Sequence, residues 1–145
     1  MRYQQQNQIE PTCFGQCLCQ NITFKIYGPL SKIVYCHCRQ CRVLSGNFVS
    51  VVTVKDKNLD IADAKKISWF ASSNFAKRGF CNQCGTALFF KHQDSDAISI
   101  HTGCLDETNF KQQNPERGFH IFVTEKGPYY EINDGLQQFP YHDKR

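Results

Sequence analysis

Apolar and polar residues alternate over residues 21–27, with Ile22, Phe24 and Ile26 on one face and Thr23, Lys25 and Tyr27 on the other, and the run stops at Gly28 and Pro29. A period of two belongs to a half-buried strand, because successive side chains of an extended backbone point to opposite faces. Comparable strand signals recur at residues 32–35, 48–54, 66–71, 86–91, 97–101, 120–124 and 129–132, with turn-forming clusters at 55–58, 93–96 and 133–135. Short strands at this spacing predict an all-β domain. Helical periodicity is limited to two candidate turns, residues 39–44 and 107–113. No repeat of a structural unit and no linker interrupts the pattern, so residues 1–13 read as a loose arm and residues 14–145 as a single domain.

Composition narrows the class. A chain of 145 residues that is 41% apolar can bury a real core. Nine cysteines would suit a secreted disulfide scaffold, but the opening MRYQQQNQIEPTC lacks the apolar run of a signal peptide. Reduced thiols in a soluble, cytoplasmic protein are therefore expected. The longest apolar stretches, at 48–54 and 87–90, are too short to cross a bilayer, so no membrane partner is expected. A net charge of +4 carried by scattered lysines and arginines makes no case for nucleic acid and is compatible with an anionic small molecule. The aromatic residues, Phe48, Trp69, Phe70, Phe89 and Phe90 among them, suit a packed core better than a base-stacking platform.

The chemistry lies in the cysteines. Cys17 and Cys19 form a C-x-C group, Cys36, Cys38 and Cys41 form C-x-C-x-x-C, and Cys81 and Cys84 form C-x-x-C. Sulfurs this close along the chain are poorly placed to bridge one another and well placed to chelate, and thiolates favour a soft tetrahedral ion such as zinc. Four thiolates close a structural cage, whereas three leave a fourth position for water or substrate. A glycine after the second cysteine of FCNQCG, Gly85, suits a zinc knuckle, since it lets backbone amides turn toward sulfur. Three thiolates also weaken an ion as a Lewis acid toward water while leaving it able to bind and deprotonate a thiol. A remote residue or Cys104 closing that second site stays open as an alternative, and spacing alone does not say which groups share an ion.

The stretches GQCLCQNITFKIYG, YCHCRQCRVLSGNF, SSNFAKRGFCNQCGTALFF, IHTGCLD and HIFVTEKGPYYEINDGLQQFP together resemble the glutathione-dependent formaldehyde-activating enzyme family, whose zinc domain also occurs in centromere protein V. The resemblance spans about residues 14–140 and implies a β-rich fold of the Mss4-like kind. It implies that Cys17, Cys19, Cys81 and Cys84 hold a structural zinc, and that Cys36, Cys38 and Cys41 hold a second zinc at which chemistry occurs. It further implies a carbon-sulfur lyase type of activity, in which formaldehyde and glutathione condense to S-hydroxymethylglutathione, with glutathione or a similar thiol adduct as small-molecule partner. The chain departs from the family pattern at Gln20, where glycine often follows the second cysteine, so the local turn is where a difference is expected.

Other residues carry weaker signals. His37 sits between two ligands, and in extended backbone its side chain should point away from the metal. His92, His101 and His120 read as packed or surface residues. Arg39 and Arg42, with Arg78, flank the cysteine groups and are candidates for pairing with glutathione carboxylates or for offsetting thiolate charge. No histidine and carboxylate stand at a spacing that would make a serine nucleophile. Two functions follow as expectations: a two-zinc enzyme acting at a carbon-sulfur bond, or a non-catalytic zinc module that recognises a macromolecule.

Overall fold

The computed structural model describes residues 10–107 and 115–143. Its strands are β1 (Cys13–Gln16), β2 (Thr23–Ile26), β3 (Ile33–Cys36), β4 (Val49–Lys55), β5 (Leu59–Ala62), β6 (Ile67–Ala71), β7 (Ala76–Cys81), β8 (Ala87–His92), β9 (Ala97–His101), β10 (Arg117–Ile121) and β11 (Gln137–Gln138), and a short helix, α1 (Arg39–Ser45), follows β3. The all-β expectation holds. Among the described residues the strands form a three-stranded sheet, β1-β2-β5, and an eight-stranded sheet in the order β11-β10-β3-β4-β9-β8-β7-β6.

The alternation read from residues 21–27 is what joins the sheets. Ile22, Phe24 and Ile26 are buried to 2% exposure or less, and the Phe24 ring meets Phe89 of β8 edge to face at 5.5 Å. Burying each such side chain contributes about 1.5–3 kcal/mol. Val52, Leu88, Phe89 and Ile100 supply the facing layer. Gly15 makes the approach possible, since a Cβ there would stand 2.1 Å from the Phe24 ring.

Two predicted strands are corrected. The strand expected at 120–124 lies earlier, at Arg117–Ile121, where it pairs in parallel with β3 through Phe119 and Val34, His120 and Tyr35, and Ile121 and Cys36. Phe122 adopts a left-handed φ of 56° and ends it. Residues 129–132 are not a strand; Tyr130 there is held by its ring, which packs on His37 and Phe48. β1, β5, β7 and β11 carry no strand expectation, being short or interrupted by glycine and cysteine. β1 begins at Cys13, the last residue assigned to the arm, and the Thr12 amide already donates to the Ile26 carbonyl at 2.7 Å. The helical turn expected at 107–113 falls at residues 108–113 outside the described residues.

Candidate metal centres

The fold gathers seven cysteines into two clusters. Cys17 follows β1, Cys19 lies in the turn before β2, Cys81 closes β7 and Cys84 sits in the turn before β8, and their four sulfurs lie within 4.8 Å of one another. Cys17 to Cys19 is 3.6 Å and Cys19 to Cys81 is 3.7 Å. A disulfide would need about 2.05 Å, and all nine cysteines are free. Around an ion with metal–sulfur bonds of about 2.3 Å, tetrahedral sulfurs stand about 3.8 Å apart. The cluster therefore fits one such ion.

Backbone amides and a single hydroxyl satisfy these sulfurs. The Ile22 amide donates to Cys17 Sγ at 3.3 Å, and the Gln83 and Cys84 amides both donate to Cys81 Sγ at 3.4 Å. The Thr86 hydroxyl lies 3.0 Å from Cys84 Sγ and helps to bring that thiol down to about 5. Gly85 takes a φ of +78°, as the knuckle requires. At the other hairpin Gln20 takes a φ of +66°. The turn is thus kept without glycine, at the cost of a left-handed conformation that a side chain disfavours.

The second cluster is Cys36, the last residue of β3, Cys38, which caps α1, and Cys41 in its first turn, with sulfurs again within 4.8 Å of one another. Hydrogen bonds from Cys36 and Cys41 pull the Cys38 thiol far down, and the same contacts push Cys36 far up. Crowded sulfurs of this kind lose one proton readily and the others only against a cation, so the donor set calls for a positive ion. Neither Cys104 nor a histidine joins this cluster among the described residues. Cys104 donates to the Ala87 carbonyl at 3.4 Å, and its thiol is raised to about 11 by burial and by Cys17 and Cys84. It thus belongs beside the four-sulfur cluster. Cys13 is buried and donates to the Phe14 carbonyl.

The Cys41 amide donates to Cys38 Sγ at 3.5 Å, and an arginine side chain reaches the cluster as well. Arg78 of β7 donates through one terminal nitrogen to Cys41 Sγ at 3.7 Å and through the other to Gln40 Oε1 at 3.1 Å, with its guanidinium 5.0 Å from the Phe90 ring centre. Gln40 in turn donates to the Ser72 carbonyl at 3.1 Å. Arg42 is half-buried and its charge acts on Tyr130. Arg39 is exposed, and its amide donates to Glu125 at 3.0 Å.

Behind the sulfurs a chain of hydrogen bonds links Tyr130, His37, His120 and Asp134. With both imidazoles neutral, the Asp134 carboxylate accepts from His120 Nε2 at 2.9 Å, and His120 Nδ1 accepts from His37 Nε2 at 2.8 Å. His37 Nε2 therefore donates, and His37 Nδ1 accepts from the Tyr130 hydroxyl at 2.8 Å. Burial above all, with His120 and Lys126 adding to it, lowers His37 to about 4 and keeps it neutral. Burial opposes ionisation of Asp134, but the Leu136 amide and His120 outweigh it and hold its carboxyl below the usual range. His37 does turn away from the metal cluster, into the interior at 0% exposure. Its partners Asp134 and Tyr130 had no local sequence signal, since the register of β10 and the path of the C-terminal segment bring them there. His92 lies against Phe75, and His101 is lowered to about 4 by burial and by Arg78.

A sequence model of the glutathione-dependent formaldehyde-activating enzyme family matches residues 12–125, a span that holds both cysteine clusters. The chain belongs to that family. A Schizosaccharomyces pombe protein described as an uncharacterised lyase is 33% identical over 82 residues, which covers 57% of this chain and 59% of the relative. The match thus spans under two thirds of that relative's length. A crystal structure of a Rhodobacter sphaeroides protein superposes with a TM-score of 0.56 at 18% identity, covering 72% of this chain and 97% of that one. This second likeness speaks to the fold alone. No helix among the described residues is long and apolar enough to cross a membrane.

Proposed function

We propose that the protein is a zinc-dependent carbon-sulfur lyase acting on the adduct of glutathione, or a similar small thiol, with formaldehyde or another small electrophile. The observation that carries this reading is the contrast between a cluster of four sulfurs, which closes a tetrahedron, and one of three, which does not. Cys17, Cys19, Cys81 and Cys84 would hold a structural zinc, and Cys36, Cys38 and Cys41 a second. Zinc at the three sulfurs supplies one chemical service, the loss of a proton from an incoming thiol. In the condensing direction the thiol sulfur forms a bond to the aldehyde carbon, the carbonyl π pair moves to oxygen, and that oxygen takes up a proton; the reverse breaks the same bond.

The chain's own residues orient the thiol. Arg42, half-buried on α1, is a carboxylate contact in this reading, and Arg39 a more exposed one. His37 holds the peptide between Cys36 and Cys38 from behind through its bonds to His120 and Tyr130. The cytoplasm, where thiols stay reduced, suits nine free cysteines.

Calorimetry of the zinc-loaded protein with glutathione and with S-methylglutathione tests the proposal. Only the free thiol can lose a proton and coordinate, so it should bind at least about tenfold more tightly, and Cys41→Ser should abolish the preference. Equal affinity for both ligands, or a preference untouched by Cys41→Ser, would sink the thiol reading and favour a non-catalytic zinc module.

A further inference from the structure

Among the described residues the two sheets have four outer strands, and three of them are guarded against pairing with another chain. β1 is bridged through Gly15 to Leu105, β5 carries the exposed Asp60, and β11 is only two residues long. β6, of sequence ISWFA, contains no charge and no proline and keeps an unbroken register against β7. Its Phe70 is 56% exposed and its Trp69 37%, with Phe75 and Phe80 exposed beside them. A flat apolar edge is a template for another strand, and charge, proline, bulges or brevity are the usual guards against it.

The ladder tells which backbone groups lie open on this edge. The Asn82 amide donates to the Lys66 carbonyl at 2.9 Å, so in the antiparallel pattern Ser68 and Phe70 turn their backbone groups to β7, and Ile67, Trp69 and Ala71 turn theirs outward. The Ile67 amide is already given to the Ala64 carbonyl. A second copy running antiparallel about a two-fold axis at Trp69 sets Trp69 against its own twin, Ile67 against Ala71 and Ser68 against Phe70. Each Trp69 amide then meets the other copy's Trp69 carbonyl, and each Ala71 amide the other copy's Ile67 carbonyl. Only the Ala71 carbonyl, at the open end of the strand, stays with water.

Side chains agree with that register. The large Phe70 lies across from the small Ser68, Ile67 lies across from Ala71, and the two Trp69 rings share one face of the joined sheet. Lys65 and Lys66 of one copy fall where the other has Ser73 and Ser72, so like charges are not opposed, and Lys66 is paired with Asp63 at 3.3 Å.

We propose that β6 is a self-association edge, at which two copies of the chain pair antiparallel about Trp69 and join their eight-stranded sheets into one. Such an interface is isologous and closes at two copies. An edge of five residues is about 17 Å long and buries less than the roughly 800 Å² per partner of a standard interface, so the dimer is a weak one, half formed at about 100 µM. It does not depend on the chemistry at either cysteine cluster.

Sedimentation equilibrium of the zinc-loaded, reduced protein from about 5 µM to about 1 mM tests the proposal. Wild type should pass from monomer to dimer over that range. Trp69→Lys and Trp69→Glu should each weaken self-association about tenfold or more, because the two-fold axis sets each charge against its like, and an equimolar mixture of the two should associate more tightly than either alone. Ala71→Pro removes one outward amide from an exposed residue and should weaken the dimer about fivefold or more, with a melting temperature within about 3 °C of wild type. This variant decides the matter if loss of the Trp69 ring, which stacks on Phe89, unfolds the other two. Wild type that stays monomeric at about 1 mM overturns the proposal and leaves the edge to a different protein, and a dimer indifferent to Ala71→Pro places the contact elsewhere and overturns it too. A mixture of folded Trp69 variants no tighter than its components overturns the pairing about Trp69.

Discussion

The two cysteine clusters use the same atoms and differ in what surrounds them. In the four-sulfur cluster Cys17 and Cys81 are part of the apolar core, and the charge on sulfur is met by the Ile22, Gln83 and Cys84 amides. Amides are fixed by the backbone, so this cluster is stiff wherever the hairpins are formed. The three-sulfur cluster lies outside that core; one amide, that of Cys41, reaches Cys38 Sγ, and Arg78, a side chain that can turn toward a guest, reaches Cys41 Sγ. A metal site that only ties the fold together gains from being surrounded by backbone, whereas one that exchanges ligands needs side chains that can rearrange.

The difference can be broken, and the sharpest attempt is a pair of substitutions. Cys84→Ser should remove on the order of 5 kcal/mol, most of the stability of a domain this size, because the cluster fastens the first hairpin to the one between β7 and β8. Cys38→Ser should lower the melting temperature by no more than about 5 °C. Thermal melts decide; equal losses would mean that the clusters do not divide structure from chemistry. Chelator titration followed by elemental analysis probes the same division without mutation, with two ions present at the start and the three-sulfur ion leaving first. Loss of both together contradicts it.

Smaller effects sharpen the picture at each site. Tyr130→Phe removes the donor to buried His37 Nδ1 and should cost about 1–2 kcal/mol in denaturant unfolding. A neutral result would show that the ring packing, not the hydrogen-bond chain, supports the three-sulfur cluster from behind. Gln20→Gly relieves a left-handed backbone at the four-sulfur cluster and should raise stability by about 0.5 kcal/mol, the left-handed strain less the entropic cost of glycine. If glycine destabilises instead, the Gln20 side chain supplies something that its conformation does not reveal.

The parts visible in the sequence were those that depend on neighbours along the chain. Residues 21–27 announce a strand because burial alternates with every residue, and the ligand groups announce themselves because chelation needs sulfurs within a few positions. The parts that stayed hidden depend on partners far away. β10 lies three residues earlier than its apolar run because parallel pairing with β3 sets its register. The apolar look of residues 129–132 reports a ring stacked on His37 rather than a strand. Arg78 is one of several arginines in the sequence, and only the pairing of β7 and β8, together with Gln40, brings it to Cys41.

β3 and β4 are antiparallel neighbours, and Cys36, the first of the three sulfurs, faces Val49 across that ladder. Residues 37–48 thus leave and re-enter the sheet at one place, like a loop clipped at its base. A sheet is indifferent to what such a loop contains as long as its two ends meet. Two of the three ligands, Cys38 and Cys41, therefore ride on a loop that can be rewritten between fixed ends, in the laboratory or over generations, while Cys36 and the buried His37 belong to the pairing that folds the domain and stay as they are.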